Sequence, residues 1–231
     1  MKPLVLLPGM MCDARLFAPQ IAAFSVERAV QVSPLTQHDT IEGLARSVLN
    51  HAPPRFALAG LSMGGIVAME IMRQAPKRVT HLALIDTNHK AELLEVSARR
   101  EPQIAKVRAG QLRQVMRDEM KPNYLSDGPH QGAILDLCMS MAEALGPEVF
   151  ERQSRAIQYR ADQQETLRKI AVPTLIMCGE DDTLCPPERH RLMHELVDGS
   201  TLSIIEGAGH LPTLEQPEAT SKALREWLSF S

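Results

Sequence analysis

Residues 56–74 read FALAGLSMGGIVAMEIMRQ, and this stretch points to one fold class. The short apolar run 56–59 predicts a buried strand, and the apolar periodicity of 66–74 predicts a helix that stops before Pro76. Between them lies a G-x-S-x-G motif, 60–64. A serine on such a sharp strand-to-helix turn exposes its hydroxyl, and the flanking glycines let neighbouring backbone pack closely. The stretch therefore predicts a nucleophile at Ser62.

Short apolar runs alternate with amphipathic segments on both sides of this stretch. Because parallel sheets are built from strands separated by helices, the rhythm predicts a mostly parallel sheet flanked by helices. The other predicted strands are 3–7, 28–32, 79–85, 172–177 and 201–205, and the other predicted helices are 14–24, 40–51 and 217–228.

The alternation of short apolar runs and amphipathic segments stops between residues 87 and 169. This segment has no β-rich run but contains four helix-like stretches, 91–109, 111–120, 132–145 and 147–161. A helical insertion between two strands is typical of a cap over the edge of a sheet. We therefore predict a core of residues 1–86 and 170–231 and a helical cap or lid of residues 87–169, with hinges at 87–88 and 165–169.

Composition and charge exclude several classes of protein. Of 231 residues, 44% are hydrophobic and 23% are charged, as is usual for a globular chain. A formal net charge of −3 lacks the positive field that binds phosphate backbones, so no nucleic-acid partner is expected. The apolar start, 4–7, is too short for a signal peptide, and no run could span a membrane. We expect a cytoplasmic protein.

The cysteines predict neither disulfides nor a metal site. The four cysteines form no CxxC pair. Cys178 and Cys185 lie near His190 and His194, but the cysteine spacing of seven residues is wider than zinc sites use. We expect buried or incidental thiols and no metal.

A serine nucleophile needs a base, and His210 is the best candidate among eight histidines. It lies in the glycine-bearing loop 207–210, after the last strand and before the last helix, where open α/β folds keep their sites. His190 and His194 are four residues apart on a predicted surface helix, so solvated side chains are expected. His89 follows a strand and could line a pocket.

The acid that orients this base is ambiguous from the residues alone. Glu180, Asp181 and Asp182 all follow the strand 172–177, and Asp86 follows an earlier strand. Any of them satisfies the order nucleophile, acid, base.

The motifs together resemble the α/β-hydrolase fold superfamily, in the branch with a small helical cap. They are G-x-S-x-G at 60–64, G-x-x-D-x-x-x-P at 179–186 and G-x-G-H at 207–210, and the resemblance covers essentially the whole chain. It implies a mostly parallel sheet with an inserted helical cap. It also implies that Asp182 is the acid of a Ser62–Asp182–His210 triad.

The resemblance further implies an oxyanion hole made by the backbone N–H groups of Met10 and Met63. Two departures from the family pattern are visible. Pro8-Gly9 stands where the family often has His-Gly, and the chain starts where the family's third strand usually lies. The first strands of the family are therefore expected to be missing.

These features predict a serine hydrolase that cleaves carboxylic esters or thioesters through an acyl-enzyme intermediate, without a metal or organic cofactor. Methionines near the site and in the cap suggest a small to medium apolar acyl group. The alternatives are C–C bond hydrolysis or a lyase step on an acidic metabolite by the same triad. A third is a non-catalytic ligand-binding member of the fold. The partner is a small ester-like molecule, and the sequence does not indicate the oligomeric state.

Overall fold

A six-stranded parallel sheet forms the centre of the computed structural model, which describes residues 1–230. The order across the sheet is β2-β1-β3-β4-β5-β6, and every neighbouring pair is parallel. The strands are β1 (Leu4–Leu7), β2 (Val30–Val32), β3 (Phe56–Leu61), β4 (Val79–Ile85), β5 (Thr174–Gly179) and β6 (Thr201–Ile205). The prediction of a mostly parallel sheet flanked by helices is confirmed.

The central strands are buried on both faces, as the apolar runs require. In β1 every residue is buried, with Val5 and Leu7 in one apolar cluster and Leu4 and Leu6 in the other. Successive side chains of a strand point to opposite faces, so the two clusters lie on the two sides of the sheet. Helices must cover both sides.

The helices follow the predicted alternation. Outside the segment between β4 and β5 they are α1 (Ala18–Phe24), α2 (Ile41–His51), α3 (Met63–Gln74), α9 (Pro187–Leu196), α10 (Pro212–Glu215) and α11 (Pro217–Ser229). Between β4 and β5 lie α4 (Leu94–Arg108), α5 (Leu112–Val115), α6 (Gln131–Leu145), α7 (Pro147–Gln158) and α8 (Gln164–Leu167), with a π-helix at Met116–Met120. No helix within residues 1–230 is long and apolar enough to cross a membrane.

Strand β3 is longer than its apolar run predicted. It continues through Gly60 and Leu61, and Gly60 pairs with Leu7 of β1 and Leu84 of β4. Glycine is depleted in strands, which is why the prediction ended at residue 59. The extension carries β3 directly to Ser62.

The strand order changes direction between β1 and β3. From β1 the chain continues to β2 on one side of the sheet, whereas from β3 it continues to β4 on the other. Ligands of open parallel sheets bind at the carboxyl edge near such a switch point. The loop after β1, which contains Met10, and the turn after β3, which contains Ser62, both lie there.

Candidate active site

Ser62 occupies a strained turn between β3 and α3. Its backbone has φ 55° and ψ −115°, a left-handed conformation that side-chain-bearing residues rarely adopt. The turn is tight, because a Cβ on Gly60 would lie 2.2 Å from the carbonyl oxygen of Gly64. A Cβ on Gly64 would lie 2.0 Å from the carbonyl oxygen of Leu7. Both glycines of the motif are therefore required by close backbone packing.

The structure brings Ser62, His210 and Asp182 together. His210 Nε2 lies 2.9 Å from Ser62 Oγ, and His210 Nδ1 lies 2.8 Å from Asp182 Oδ2. Asp182 and His210 are buried, and Ser62 is half-buried. With its proton on Nδ1, the imidazole donates to Asp182 and can accept the proton of the serine hydroxyl.

Asp182 is held in its ionised form. Burial alone would raise the pKa of Asp182, but the neighbouring His210 and the N–H of Cys185 lower it to about 2. Its Oδ1 accepts hydrogen bonds from the N–H groups of Leu184 at 2.8 Å and Cys185 at 3.0 Å. The charge needed beside the imidazole is therefore already present at neutral pH.

The other candidate acids do not contact His210. Glu180 and Asp181 are exposed. Asp86 is fully buried, and its Oδ1 accepts a hydrogen bond of 2.8 Å from the N–H of Gly179. Of the candidate acids, Asp182 is the one that the structure places against His210.

Glu215, which the sequence analysis missed, fixes the histidine loop. Its carboxylate accepts hydrogen bonds from the N–H groups on both sides of His210, those of Gly209 and Leu211, each at 2.9 Å. It also accepts the N–H of Ser126 at 2.8 Å, while the N–H of His210 donates to the carbonyl of Tyr124 at 2.7 Å. The available signal for Glu215 was an acidic residue five positions after His210.

The loop after β1 lies beside the serine, because a Cβ on Gly9 would lie 3.5 Å from Ser62 Cβ. The N–H of Met11 is engaged, since it donates to Gln153 Oε1 of α7 at 2.8 Å. Within residues 1–230 the N–H of Met10 has no hydrogen-bond acceptor. Met63 is the first residue of α3, and N–H groups of a first helical turn have no acceptor inside the helix. Gln153, buried on α7, is a second residue that the sequence analysis missed.

The prediction of a solvated His190 is wrong. The side chain has 0% exposure, and its Nε2 accepts a hydrogen bond of 3.1 Å from the N–H of Thr87. Its Nδ1 lies 3.3 Å from the carbonyl oxygen of Pro186. Thr87 Oγ1 in turn donates to the carbonyl of Ser62 at 2.6 Å. His190 therefore links the loop after β5, residues 180–186, to the turn that carries Ser62. His194 is half-buried, and its Nδ1 lies within hydrogen-bonding distance of Ser200.

His89 is buried, and neither of its ring nitrogens has a hydrogen-bond partner among the residues that the structure describes. Burial lowers the pKa of His89 to about 4. Its backbone carbonyl accepts the N–H of Gln163 at 2.8 Å. No contact joins it to the triad within that part of the chain.

The potential metal ligands do not form the cluster that the sequence suggested checking. Among residues 1–230, the side chains that approach one another are Asp182, Cys185 and His210, whose ligand atoms lie within 4.8 Å of one another. Asp182 and His210 are already hydrogen-bonded to each other. Burial also raises the pKa of the Cys185 thiol, so it stays protonated. The arrangement matches a hydrogen-bonded acid–base pair.

The buried imidazole of His190 predicts acid sensitivity. Burial lowers the pKa of His190 from 6.5 to about 4, so the unfolded chain binds its proton first as the pH falls. The contribution of the neutral, buried His190 to the free energy of unfolding is complete above about pH 6.5. It is lost as the pH falls from there to about pH 4. At about 1.4 kcal/mol per pH unit it amounts to about 3 kcal/mol. Urea unfolding across this range should show the loss.

His190→Gln and His194→Gln separate this effect from general acid unfolding. The first variant should show a shallower fall in the free energy of unfolding between pH 6.5 and 4, because it has no imidazole to protonate. The second, on the same helix, should keep the wild-type slope. Equal slopes for wild type and His190→Gln would show that His190 does not set the acid sensitivity.

Comparisons with known proteins agree with the fold. A model of the family described as "Alpha/beta hydrolase family" matches residues 4–223. A pimeloyl-[acyl-carrier protein] methyl ester esterase of Neisseria meningitidis is 26% identical over an alignment of 202 residues, and the match covers 85% of this chain and 78% of that protein.

Two solved structures superpose over nearly the whole chain. A malate-bound thermophilic esterase from Thermogutta terrifontis has 27% identity and a TM-score of 0.90, covering 99% of this chain and 89% of that one. The enol-lactonase from Burkholderia xenovorans LB400, at 23% identity and a TM-score of 0.87, covers 99% and 92% and shows the same fold. The esterases among these relatives support a hydrolase that acts on esters.

Proposed function

Because the chain belongs to the alpha/beta hydrolase family, we propose that it is a serine hydrolase that cleaves carboxylic esters or thioesters through an acyl-enzyme intermediate. One observation carries the proposal: His210 lies within hydrogen-bonding distance of both Ser62 Oγ (2.9 Å) and Asp182 Oδ2 (2.8 Å). A nucleophile, a base and an orienting acid in this arrangement are the parts that acyl transfer needs.

The first half of the reaction acylates the serine. Ser62 Oγ attacks the acyl carbon while His210 Nε2 removes the hydroxyl proton. The imidazolium that forms is stabilised by the carboxylate of Asp182. His210 then returns the proton to the leaving alcohol or thiol, and the acyl group remains on Ser62. In the second half, His210 activates a water that releases the acid.

The developing oxyanion needs donors that are free in the resting protein. We assign this role to the N–H groups of Met10 and Met63, since Gln153 already engages the N–H of Met11. Each such donor typically contributes about 3 kcal/mol to lowering the barrier. No step of this mechanism calls for a metal or an organic cofactor.

We assign residues 87–169 to a cap over the carboxyl edge of the sheet. Three contacts support it: Tyr124 binds the backbone of His210, Ser126 binds Glu215, and Gln153 binds the backbone of Met11. The cap then borders the carboxyl edge of the sheet, and both Met10, after β1, and Met141, on α6, are buried. Flexible thioether side chains accommodate apolar groups of varied shape, which supports a small to medium apolar acyl group.

Esters of p-nitrophenol with graded acyl chains test the proposal. Acetate, butyrate, octanoate and palmitate esters should be hydrolysed with a maximum of kcat/KM at butyrate or octanoate, as the proposal of a small to medium acyl group requires. Turnover is followed as release of p-nitrophenolate. The absence of turnover above the enzyme-free rate on all four would overturn ester hydrolysis and favour C–C cleavage or a lyase step. A maximum at palmitate would contradict the proposed small to medium acyl group.

A further inference from the structure

Asp86 stands at the carboxyl end of β4 in a conformation that its residue type rarely adopts. Its φ is 43°, in the left-handed region, and its side chain is fully buried. The N–H of Asp86 donates to the carbonyl of Met177 at 2.9 Å, which anchors the turn to β5. Strained residues of this kind cluster at functional sites, so the buried carboxyl calls for a chemical explanation.

The carboxyl of Asp86 has one N–H donor and one carboxyl neighbour. Oδ1 accepts the N–H of Gly179 at 2.8 Å. Oδ2 is buried, and no N–H or hydroxyl group within residues 1–230 donates to it. The side chain is close enough to the carboxyl of Asp182 for a hydrogen bond between the two carboxyl groups. Such a bond requires a proton on one of the two carboxyl groups, because two carboxylates have none to share.

The proton belongs on Asp86. Asp182 already accepts three hydrogen bonds, from His210 Nδ1 and from the N–H groups of Leu184 and Cys185, and these favour its ionised form. Asp86 accepts one. Burial and the charge of Asp182 raise the pKa of Asp86 well above its ordinary value. Two carboxyl groups in contact do not both ionise, so Asp86 is the neutral member of the pair.

We propose that Asp86 is a positioning residue whose neutral carboxyl donates a hydrogen bond to Asp182 and so sets the orientation and charge of the acid behind His210. The role rests on the triad of the proposed function, since Asp86 acts through Asp182 and touches neither His210 nor substrate. Asp86 also binds the N–H of Gly179, the last residue of β5, and so fixes the start of the loop that carries Asp182 against the end of β4.

The donated hydrogen bond spreads the negative charge of Asp182. A less concentrated charge attracts the imidazolium less strongly, so the strength of the contact between His210 and Asp182 depends on Asp86. The acid limb of the rate profile therefore reports on Asp86. The charges that act on this carboxyl from the surrounding elements are those of Asp182 and Glu215. The thiols of Cys178 and Cys185 also lie within electrostatic reach of Asp86, and burial raises their pKa, so both stay protonated.

Asp86→Asn and Asp86→Ala test the role. The amide keeps a donor for Asp182 and an acceptor for Gly179, so kcat/KM should stay within about threefold of wild type with an unchanged acid limb. Alanine removes both, and kcat/KM should fall about tenfold, the loss expected for one hydrogen bond to a charged group. The acid limb should move to higher pH by about half a unit or more. Asp181→Asn, the same change at the exposed neighbour, should leave both unchanged.

An equal loss in Asp86→Asn and Asp86→Ala, or an unmoved acid limb in Asp86→Ala, would overturn the proposal. If the alanine variant does not fold, the asparagine variant still decides. The native wild type keeps a proton on Asp86 that the unfolded chain releases above about pH 4, so the free energy of unfolding falls as the pH rises above that value. Asp86→Asn should flatten this fall, and an identical pH dependence would count against a neutral Asp86.

A spectroscopic measurement separates this inference from the proposed function. The proton between His210 Nδ1 and Asp182 gives a low-field resonance in the proton NMR spectrum that needs no substrate. It should shift in Asp86→Ala and stay near the wild-type position in Asp86→Asn. Should wild type hydrolyse no ester, the proposed function fails, while this shift still supports or refutes the role of Asp86.

Discussion

Ser62→Ala is expected to lower kcat for ester hydrolysis by about a millionfold, the scale of loss when a serine nucleophile acting with its base is removed. The substitution deletes the single atom that would form the acyl bond and leaves the neighbouring groups in place. Alanine meets the same backbone strain at φ 55° as serine, so the turn is retained. The measurement is single-turnover and steady-state hydrolysis of p-nitrophenyl butyrate.

Ser203→Ala is the matched control. Ser203 is half-buried, like Ser62, and lies on β6 outside the triad, so its loss should leave kcat unchanged. An organophosphate that labels activated serines should add its mass to wild type and to Ser203→Ala but not to Ser62→Ala. Labelling or full turnover in Ser62→Ala would refute the assignment of the nucleophile.

The positions of Ser62 and His210 could be predicted because each has a local signature. Buried parallel strands read as short apolar runs, so the carboxyl end of each strand can be located in the sequence. A serine between spaced glycines follows one such run, and a histidine after two glycines follows another. The structure places both at the same edge of the sheet, 2.9 Å apart between Ser62 Oγ and His210 Nε2.

Two contacts that escaped prediction join backbone groups to side chains far away in the chain. Gln153 binds the N–H of Met11, 142 residues away, and Glu215 binds the N–H of Ser126, 89 residues away. A backbone N–H has no residue type, so no pattern in the sequence marks its partner. These contacts become visible only when the segment between β4 and β5 is packed on the sheet.

His190 shows how a polar helix conceals a buried side chain. The sequence of α9 is PERHRLMHEL, and only His190 and Met193 are buried in it. Residues three apart share a helix face, but one histidine and one methionine give too weak an apolar stripe to predict that face. The competition between Asp86 and Asp182 has a similar cause. Both follow strands, and only their relative placement decides which one faces the imidazole.

Asp182→Asn is expected to lower kcat by about ten-thousandfold at neutral pH. The amide oxygen can still accept the N–H groups of Leu184 and Cys185, which now bind Oδ1, so the loop is retained. Its NH₂ group, however, donates to His210 Nδ1 and moves the imidazole proton to Nε2. An imidazole protonated on Nε2 cannot accept the proton of Ser62, and the variant also lacks the charge that stabilises the imidazolium.

Asp86→Asn and Asp181→Asn make the comparison specific, because all three variants exchange a carboxyl for an amide of the same shape. The loss should be confined to Asp182→Asn, whose side chain is the one in contact with His210. A ten-thousandfold loss in Asp86→Asn with little effect in Asp182→Asn would transfer the role of the acid to Asp86. Ser62→Ala combined with Asp182→Asn should be no slower than Ser62→Ala alone, because groups that act as one unit do not contribute additively. A further loss in the double variant would mean that Asp182 also serves a reaction that does not pass through Ser62.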